Sequence, residues 1–450
     1  MSICSVHQVP YRADPAFYFS VVRNAPGAIL LDSGRPEAVR GRYDLISAWP
    51  VMELTPEKEE SGEHFFTRLR SSLAILGVAD LPTELPFAGG LIGYLAYDFG
   101  RHIEVLPTRA KDDLDLPDAV LGLYPWALIT DHHLGTSQLV FHPTLALAER
   151  ERLQQLFATA EFDTHSDTFR LLGKFEADIS ASRYADAISR VHAYIRAGDC
   201  YQVNFSQRFR SGFKGDTWSA YTALRAKCPT PFAGYLTLAG GGAIMSLSPE
   251  RFVKVSGGQV ETRPIKGTRP RGLNEEEDAT NAQALLDSPK DRSENLMIVD
   301  LLRNDLGRSC RVGSVRVPEI FKLESYPNVH HLVSAVTGEL AISKDALDLL
   351  IGAFPGGSIT GAPKIRAMQI IDELEPTQRA IYCGSLLYLD VRGEMDSSIA
   401  IRTLLAKDGM ISCWGGGGIV ADSEWQAEYD ESITKVQMLL KTLERFSFTS

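Results

Sequence analysis

Between residues 184 and 443 the strand-like segments come in neighbouring runs and do not alternate one-for-one with helices. Strands are predicted at 201–209, 235–238, 243–247 and 252–255, then at 315–317 and 331–337, and again at 384–391, 397–405 and 411–413. Two helical stretches, 281–306 and 346–374, separate these groups, the second interrupted at Pro355-Gly356-Gly357. A doubly wound parallel sheet needs a crossover helix between successive strands. Grouped strands instead predict an α+β protein with a large antiparallel, sandwich-like core flanked by helices.

The first 150 residues read as a mixed unit. Residues 28–31 and 43–46 are strand-like, and 63–76 place Phe66, Leu69, Leu73 and Leu76 at helical spacing. Residues 119–141 read as a hairpin turning at Asp131-His132-His133-Leu134-Gly135. The paired histidines read as a solvent-facing turn. Residues 159–168 are polar and weakly patterned, a linker between an N-terminal α+β subdomain (1–160) that packs on the core and a catalytic domain (170–450). A further amphipathic helix spans 184–195 and ends near Gly198.

The chain has 450 residues and a net charge of −11, with no long Lys/Arg run, which argues against nucleic acid as a partner. No apolar run approaches the roughly 18 residues of a membrane span, and no signal peptide is expected. The six cysteines show no C-x-x-C pair and read as reduced thiols of a cytoplasmic protein.

The segment Arg263-Pro264-Ile265-Lys266-Gly267-Thr268-Arg269-Pro270-Arg271 sets one amine between rigid prolines and among three arginines. Nearby positive charge disfavours the ammonium form, so Lys266 has a route to a neutral, nucleophilic state near pH 7. The alternative is a basic loop that binds an anion or faces water.

Two helices carry carboxylates that invite a cation. In the terminal helix Ser423 reads as the N-cap with Gln426 as its capping-box partner. Trp425, Tyr429, Ile433, Val436, Leu440 and Leu443 share one face, and Glu428, Glu431 and Lys435 an adjacent one. An i,i+4 ion pair between Glu431 and Lys435 is the simplest account of the latter. Gly415-Gly416-Gly417-Gly418 reads as a loop feeding this helix, its bare N–H groups suited to a carboxylate. A second helix starts at Ser288-Pro289, with Asp291 placed to cap it. Glu294 precedes Leu296-Met297-Ile298-Val299, apolar on all sides and expected to be buried. A carboxylate there is costly unless paired or metal-bound. Two glutamates from separate helices would make the sparse oxygen site that Mg²⁺ accepts.

Glu250, His331, Ser358, Thr360 and Arg402 are further polar residues in apolar surroundings. Together with Ser248-Pro249-Glu250-Arg251-Phe252, Arg263-Pro264-Ile265-Lys266-Gly267-Thr268, Glu294–Leu301, Arg303–Arg308, Gly361-Ala362-Pro363-Lys364 and Glu428-Tyr429-Asp430-Glu431, these segments are ordered as in a known family. The chain resembles the chorismate-utilising enzymes over nearly all of 180–445, most closely their C4-aminating branch.

The resemblance implies the anthranilate synthase component I fold and a synthase subunit that turns chorismate and ammonia into 4-amino-4-deoxychorismate, for p-aminobenzoate and folate. It implies Lys266 as the nucleophile, where anthranilate synthases usually have alanine, and Glu250 as the general acid. It implies Mg²⁺ on Glu294 and Glu431, with Glu428 and Asp291 outside them. Substrate-holding positions match Gly267, Thr268, His331, Ser358, Tyr388, Arg402, Gly416, Gly417, Gly418 and Lys435. Ser33, Arg42, Tyr43 and Pro231 resemble a tryptophan pocket of the family. No cysteine here stands on a Gly-x-Cys-x-Gly elbow, so ammonia comes free or from a separate glutamine amidotransferase subunit, and the family implies the latter. The alternatives are anthranilate or aminodeoxyisochorismate synthesis on the same scaffold, and a non-catalytic regulatory paralogue that binds an amino acid.

Overall fold

The structure, a computed structural model, describes residues 2–38, 41–161, 168–326 and 329–447. Among them, two large sheets of 13 and 10 strands pair entirely antiparallel, and a short parallel pair joins Ser2–Ile3 to Ala79–Asp80. Period-2 alternation explains the layering. Ile29, Leu45, Ile129, Phe205 and Leu405 of the larger sheet point into one apolar core with Leu91, Phe252 and Leu386 of the smaller. Their neighbours Leu30, Ile46, Leu128 and Leu404 point the other way, into a second core. There the helices Ala16–Val22, Leu147–Ala158, Thr217–Lys227 and Trp425–Glu444 cover the sheet with Phe19, Phe157, Trp218 and Leu443. The expected α+β sandwich with flanking helices is what these faces build.

Strands from both ends of the chain interleave. Ile29–Asp32 pairs with Phe232–Thr237, and Gly90–Leu95 pairs with Ser385–Asp390. Residues 1–160 and 170–450 therefore share both sheets edge to edge. Part of the expected linker, residues 162–167, lies outside the described residues.

Several local expectations change. Residues 119–141 form three strands: Trp126–Asp131 and Thr136–Phe141 make the hairpin, whereas Ala119–Tyr124 belongs to the other sheet. His132 does not face water: its Nε2 lies 2.7 Å from Asp44 Oδ2, with both side chains buried. The stretch 281–306 is two helices, Glu275–Leu286 and Pro289–Gly307, parted at Ser288, whose hydroxyl caps the second. The strand expected over 397–405 breaks at Arg402, which adopts φ 51° and divides Met395–Ile399 from Thr403–Lys407. The terminal helix is capped by Glu424 without a side-chain bond; Ser423 Oγ instead donates to Glu428 Oε1 (2.7 Å), and Trp425 is 38% exposed, off the apolar face.

Candidate active site

Lys266 sits on the strand Ile265–Pro270, not in a loop. The strand pairs with Val329–Glu339, and its register shifts between Lys266 and Thr268. Gly267 makes that shift with φ 72°, and a Cβ there would meet Leu285 at 2.6 Å and the Asp291 carboxyl at 2.9 Å. Lys266 Nζ donates to the Ser358 carbonyl (3.1 Å). Ser358 Oγ in turn donates to Glu250 Oε1 (3.0 Å), so one residue of the Gly357–Ile359 turn holds both groups. Glu250 is 5% exposed, and its backbone N–H bonds Ser248 Oγ.

Electrostatics set these two groups against their usual charges. Burial pushes Lys266 down from the ordinary lysine range, with Lys435 adding to the effect against the pull of Glu250 and Glu294. Burial likewise pushes the Glu250 carboxyl up, opposed by Lys266 and the Ser358 hydroxyl. Low dielectric favours a neutral amine beside a neutral acid. The cause differs from the sequence expectation. The three arginines are neutralised elsewhere: Arg263 on Glu319 and Glu324, Arg269 on Asp291, Arg271 on Asp278. One consequence is testable by competitive acylation. Lys266 should become reactive at a lower pH than the surface lysines; a profile coinciding with theirs would remove the neutral-amine argument.

The opposite wall is the strand Met410–Ile419, which contains Gly415–Gly418 and pairs with Gln202–Lys214. The expected glycine loop is thus a strand, and the glycines serve close approach. A Cβ on Gly415 would lie 2.0 Å from the Ser432 carbonyl of the terminal helix, and one on Gly416 2.4 Å from the Phe205 carbonyl. Gly417 is different, because its missing Cβ would face Glu428 (3.2 Å), Lys435 (3.4 Å) and Glu431 (3.7 Å). These three side chains converge as the helical spacing predicts. Gly417→Ala should therefore fold with a thermal midpoint close to wild type, since its methyl meets only side-chain ends, whereas Gly415→Ala should displace the helix and lower the midpoint. Equal midpoints in Gly415→Ala and Gly417→Ala would contradict this.

Glu431 pairs with Lys435 (2.7 Å), and Lys435 also donates to the Gly416 carbonyl (2.9 Å). Burial would raise Glu431, but Lys435, Lys290 and Lys266 override it and hold the carboxyl low. Glu428 takes Ser423 and, at 3.6 Å, Lys290. Glu294 is partly buried and pushed up by that burial, while Lys266 and Lys290 oppose it. Among the described residues it has no hydrogen-bond donor and no ion-pair partner. The helix beyond it is amphipathic, not buried all round: Ile298 and Val299 are covered, but Leu296 is 47% exposed. Asp291 is tied to Arg269 (2.9 Å).

Thr268 Oγ1 lies 2.9 Å from His331 Nδ1. Burial and then the Arg402 charge pull His331 down to about 4, leaving a neutral imidazole. Arg402 itself reaches Cys228 Sγ (3.8 Å). With Arg42, Tyr43 and Pro231, Tyr388 lines a cavity of about 700 Å³ whose wall also takes in Pro249 and Ile265, the chain neighbours of Glu250 and Lys266. Ser33 is turned to Asp44, to which its hydroxyl donates (2.7 Å).

Sequence reasoning passed over Gln202. Its side chain is buried, its Oε1 has no partner, and its amide nitrogen lies 1.8 Å from where a Gly418 Cβ would stand. No motif flagged it, since a glutamine at the start of a mixed polar and apolar strand carries no spacing signal.

A family model described as chorismate binding enzyme matches residues 27–441. Aminodeoxychorismate synthase component 1 of Klebsiella aerogenes is 47% identical, over 97% of this chain and 98% of that protein. Anthranilate synthase component 1 of Mycolicibacterium smegmatis is 38% identical, over 95% and 87%. The crystal structure of anthranilate synthase component I from Streptococcus pneumoniae superposes with a TM-score of 0.78 at 30% identity, covering 90% of this chain and 93% of that one.

Proposed function

The chain belongs to the chorismate binding enzymes, and on that premise we propose that it aminates chorismate at C4 through a covalent lysine adduct. The amination of chorismate to 4-amino-4-deoxychorismate, towards p-aminobenzoate, is its activity. The observation that carries the lysine route is the placement of a half-buried amine and a buried acid on one residue, Ser358.

The neutral Lys266 nitrogen attacks C2, forming an N–C2 bond. The ring double bonds shift and the C4–O bond breaks. Glu250, whose carboxyl burial pushes towards the protonated form, gives its proton to the departing oxygen, which leaves as water. Ammonia then bonds to C4, the double bonds shift back, and the N–C2 bond breaks to return a neutral lysine amine. The new ammonium returns a proton to the Glu250 carboxylate, so the sum is chorismate plus ammonia to product plus water. Without the amine, ammonia reaches C2 directly, the chemistry of an anthranilate synthase.

Glu294, with no protein donor, and Glu431 across from it fit a hard cation that keeps water and substrate oxygens as its other ligands. No cluster of three or more His, Cys, Asp or Glu suited to a metal occurs among the described residues, so the pair would depend on water and substrate for its other ligands. Mg²⁺ held there would neutralise substrate carboxylate. Gly267, Thr268, His331, Arg402, Gly416, Gly417, Gly418 and Lys435 supply the N–H groups and cations around the ring, and Glu428 and Asp291 fix Lys290 and Arg269 beside it. The component 1 designation of the relatives supports a second component, a glutamine amidotransferase that delivers ammonia. The cavity with Arg42, Tyr43, Pro231 and Tyr388 offers rings and cations suited to a tryptophan-like amino acid. Its cysteines are free, and no described helix is long and apolar enough to cross a membrane, which supports a cytoplasmic site of action.

The deciding assay supplies chorismate, Mg²⁺ and an ammonium salt and identifies the product. Aminodeoxychorismate is expected; anthranilate would favour the alternative chemistry, and no turnover a non-catalytic chain. The pH profile should be bell-shaped. Turnover falls below the lowered Lys266 value, as the amine protonates, and above the raised Glu250 value, as the acid ionises. A profile in which Glu250→Gln keeps the alkaline limb would exclude Glu250 as the acid.

A further inference from the structure

Arg379 heads the largest fully buried side chains, and its partner is equally hidden: 1% and 4% of the two side chains are exposed. Its Nε and Nη2 clasp Glu375 at 2.9 and 2.7 Å. The remaining donors reach two backbone carbonyls, Ile359 (3.0 Å) and Asn204 (2.8 Å), and the guanidinium lies 4.7 Å from the Tyr97 ring centroid. Glu375 Oε1 also accepts the backbone N–H and hydroxyl of Ser206, at 2.8 and 2.9 Å.

These contacts run to both sides of the amination site. Ile359 follows Ser358, the residue that holds Lys266 and Glu250. Ser206 stands opposite Gly416 and Asn204 opposite Gly418 in the paired strands. Gly416 is the residue whose carbonyl receives Lys435, the partner of Glu431. A planar fork with several donors is the one side chain that can bind a carboxylate and two carbonyls in a fixed geometry.

We propose that the buried Arg379–Glu375 ion pair is a positioning device for amination, holding the Ser358 turn and the glycine strand at one fixed separation. It touches no reacting atom. It acts through the Ile359 carbonyl, one residue beyond the Ser358 carbonyl that orients the Lys266 nitrogen, and through the strand that faces the ring. The inference rests on the reading of Lys266 and Glu250 as nucleophile and acid. A misplacement of about 1 Å between such walls is worth about 100-fold in rate.

The test is Arg379→Lys, which keeps a cation on Glu375 but cannot span both carbonyls. Per folded molecule, kcat should fall about 100-fold while KM for chorismate changes less than about threefold. The acid limb of the kcat profile should also move to higher pH, because a loosened wall readmits water to the Lys266 amine. Ser206→Ala, which removes one donor to Glu375 and leaves the pair intact, should show the same two changes on a smaller scale. It decides the matter if Arg379→Lys does not fold. A pair that only stabilises the fold would lower the thermal midpoint and leave kcat and the acid limb where they are, and that result overturns the proposal. Intact mass of the wild type with chorismate runs alongside. Product without an adduct would sink the lysine route separately, leaving the effect of the pair on kcat to be judged by itself.

Discussion

Lys266→Ala is expected to abolish the covalent chorismate adduct and to lower C4 amination about 1000-fold, roughly 4 kcal/mol of lost transition-state stabilisation. What product remains should shift towards amination at C2, because ammonia then meets the carbon the amine would have taken. The variant should fold at least as well as the wild type. Burial holds the Lys266 value below that of an unfolded lysine, so the folded state resists protonation. Below the unfolded value such a group opposes folding, and at pH 7 its removal is neutral or stabilising. Three measurements check this: intact mass after mixing with chorismate and Mg²⁺, product ratio with an ammonium salt, and the thermal midpoint. An undiminished C4 rate in the variant would end the nucleophile assignment.

Arg225→Met should destabilise the chain by about 3–5 kcal/mol, the cost of leaving a buried carboxylate without its partner. Arg225 grips Asp32 at 2.7 and 3.1 Å, and both residues are buried. Tyr221 donates to the same carboxylate (2.8 Å), and Arg225 also reaches Asp14 and the Arg35 carbonyl. The effect should spread beyond one helix, since the network ties residues 14–35 to the helix Thr217–Lys227 across the larger sheet. The urea midpoint should fall accordingly. Asp32→Asn with Arg225→Met should recover part of the loss, because the amide carries no charge to strand. A midpoint unchanged in Arg225→Met would show that water reaches Asp32.

Period was legible because it is local. The helix Gly62–Leu76 follows from Phe66, Leu69 and Leu76 recurring on one side, and all three are buried. The helix Ala181–Ala197 stops where Gly198 adopts a left-handed conformation, as its position suggested. The convergence of Glu428, Glu431 and Lys435 followed from a turn of 3.6 residues. Long-range facts were not legible. Nothing local says that Ala119–Tyr124 joins the other sheet, or that Arg402 breaks a strand with φ 51°. The glycine run was misread because a glycine that opens a loop and a glycine that admits a neighbouring backbone look the same in one dimension. The arginines around Lys266 were misread for a related reason. Their effect depends on carboxylates from residues 278, 291, 319 and 324, which only folding brings near.

Residue order alone determined which side chains were available: an amine, an acid, two helix-borne carboxylates and a run of glycines, together with the alternation that makes an antiparallel sandwich. Tertiary structure decided their charge states and their spacing. Burial, set by everything packed around a group, lowers Lys266 and raises Glu250, and the Ser358 turn sets the two of them together. The physical reason is that desolvation and separation belong to the folded surroundings, which no list of neighbours along the chain contains.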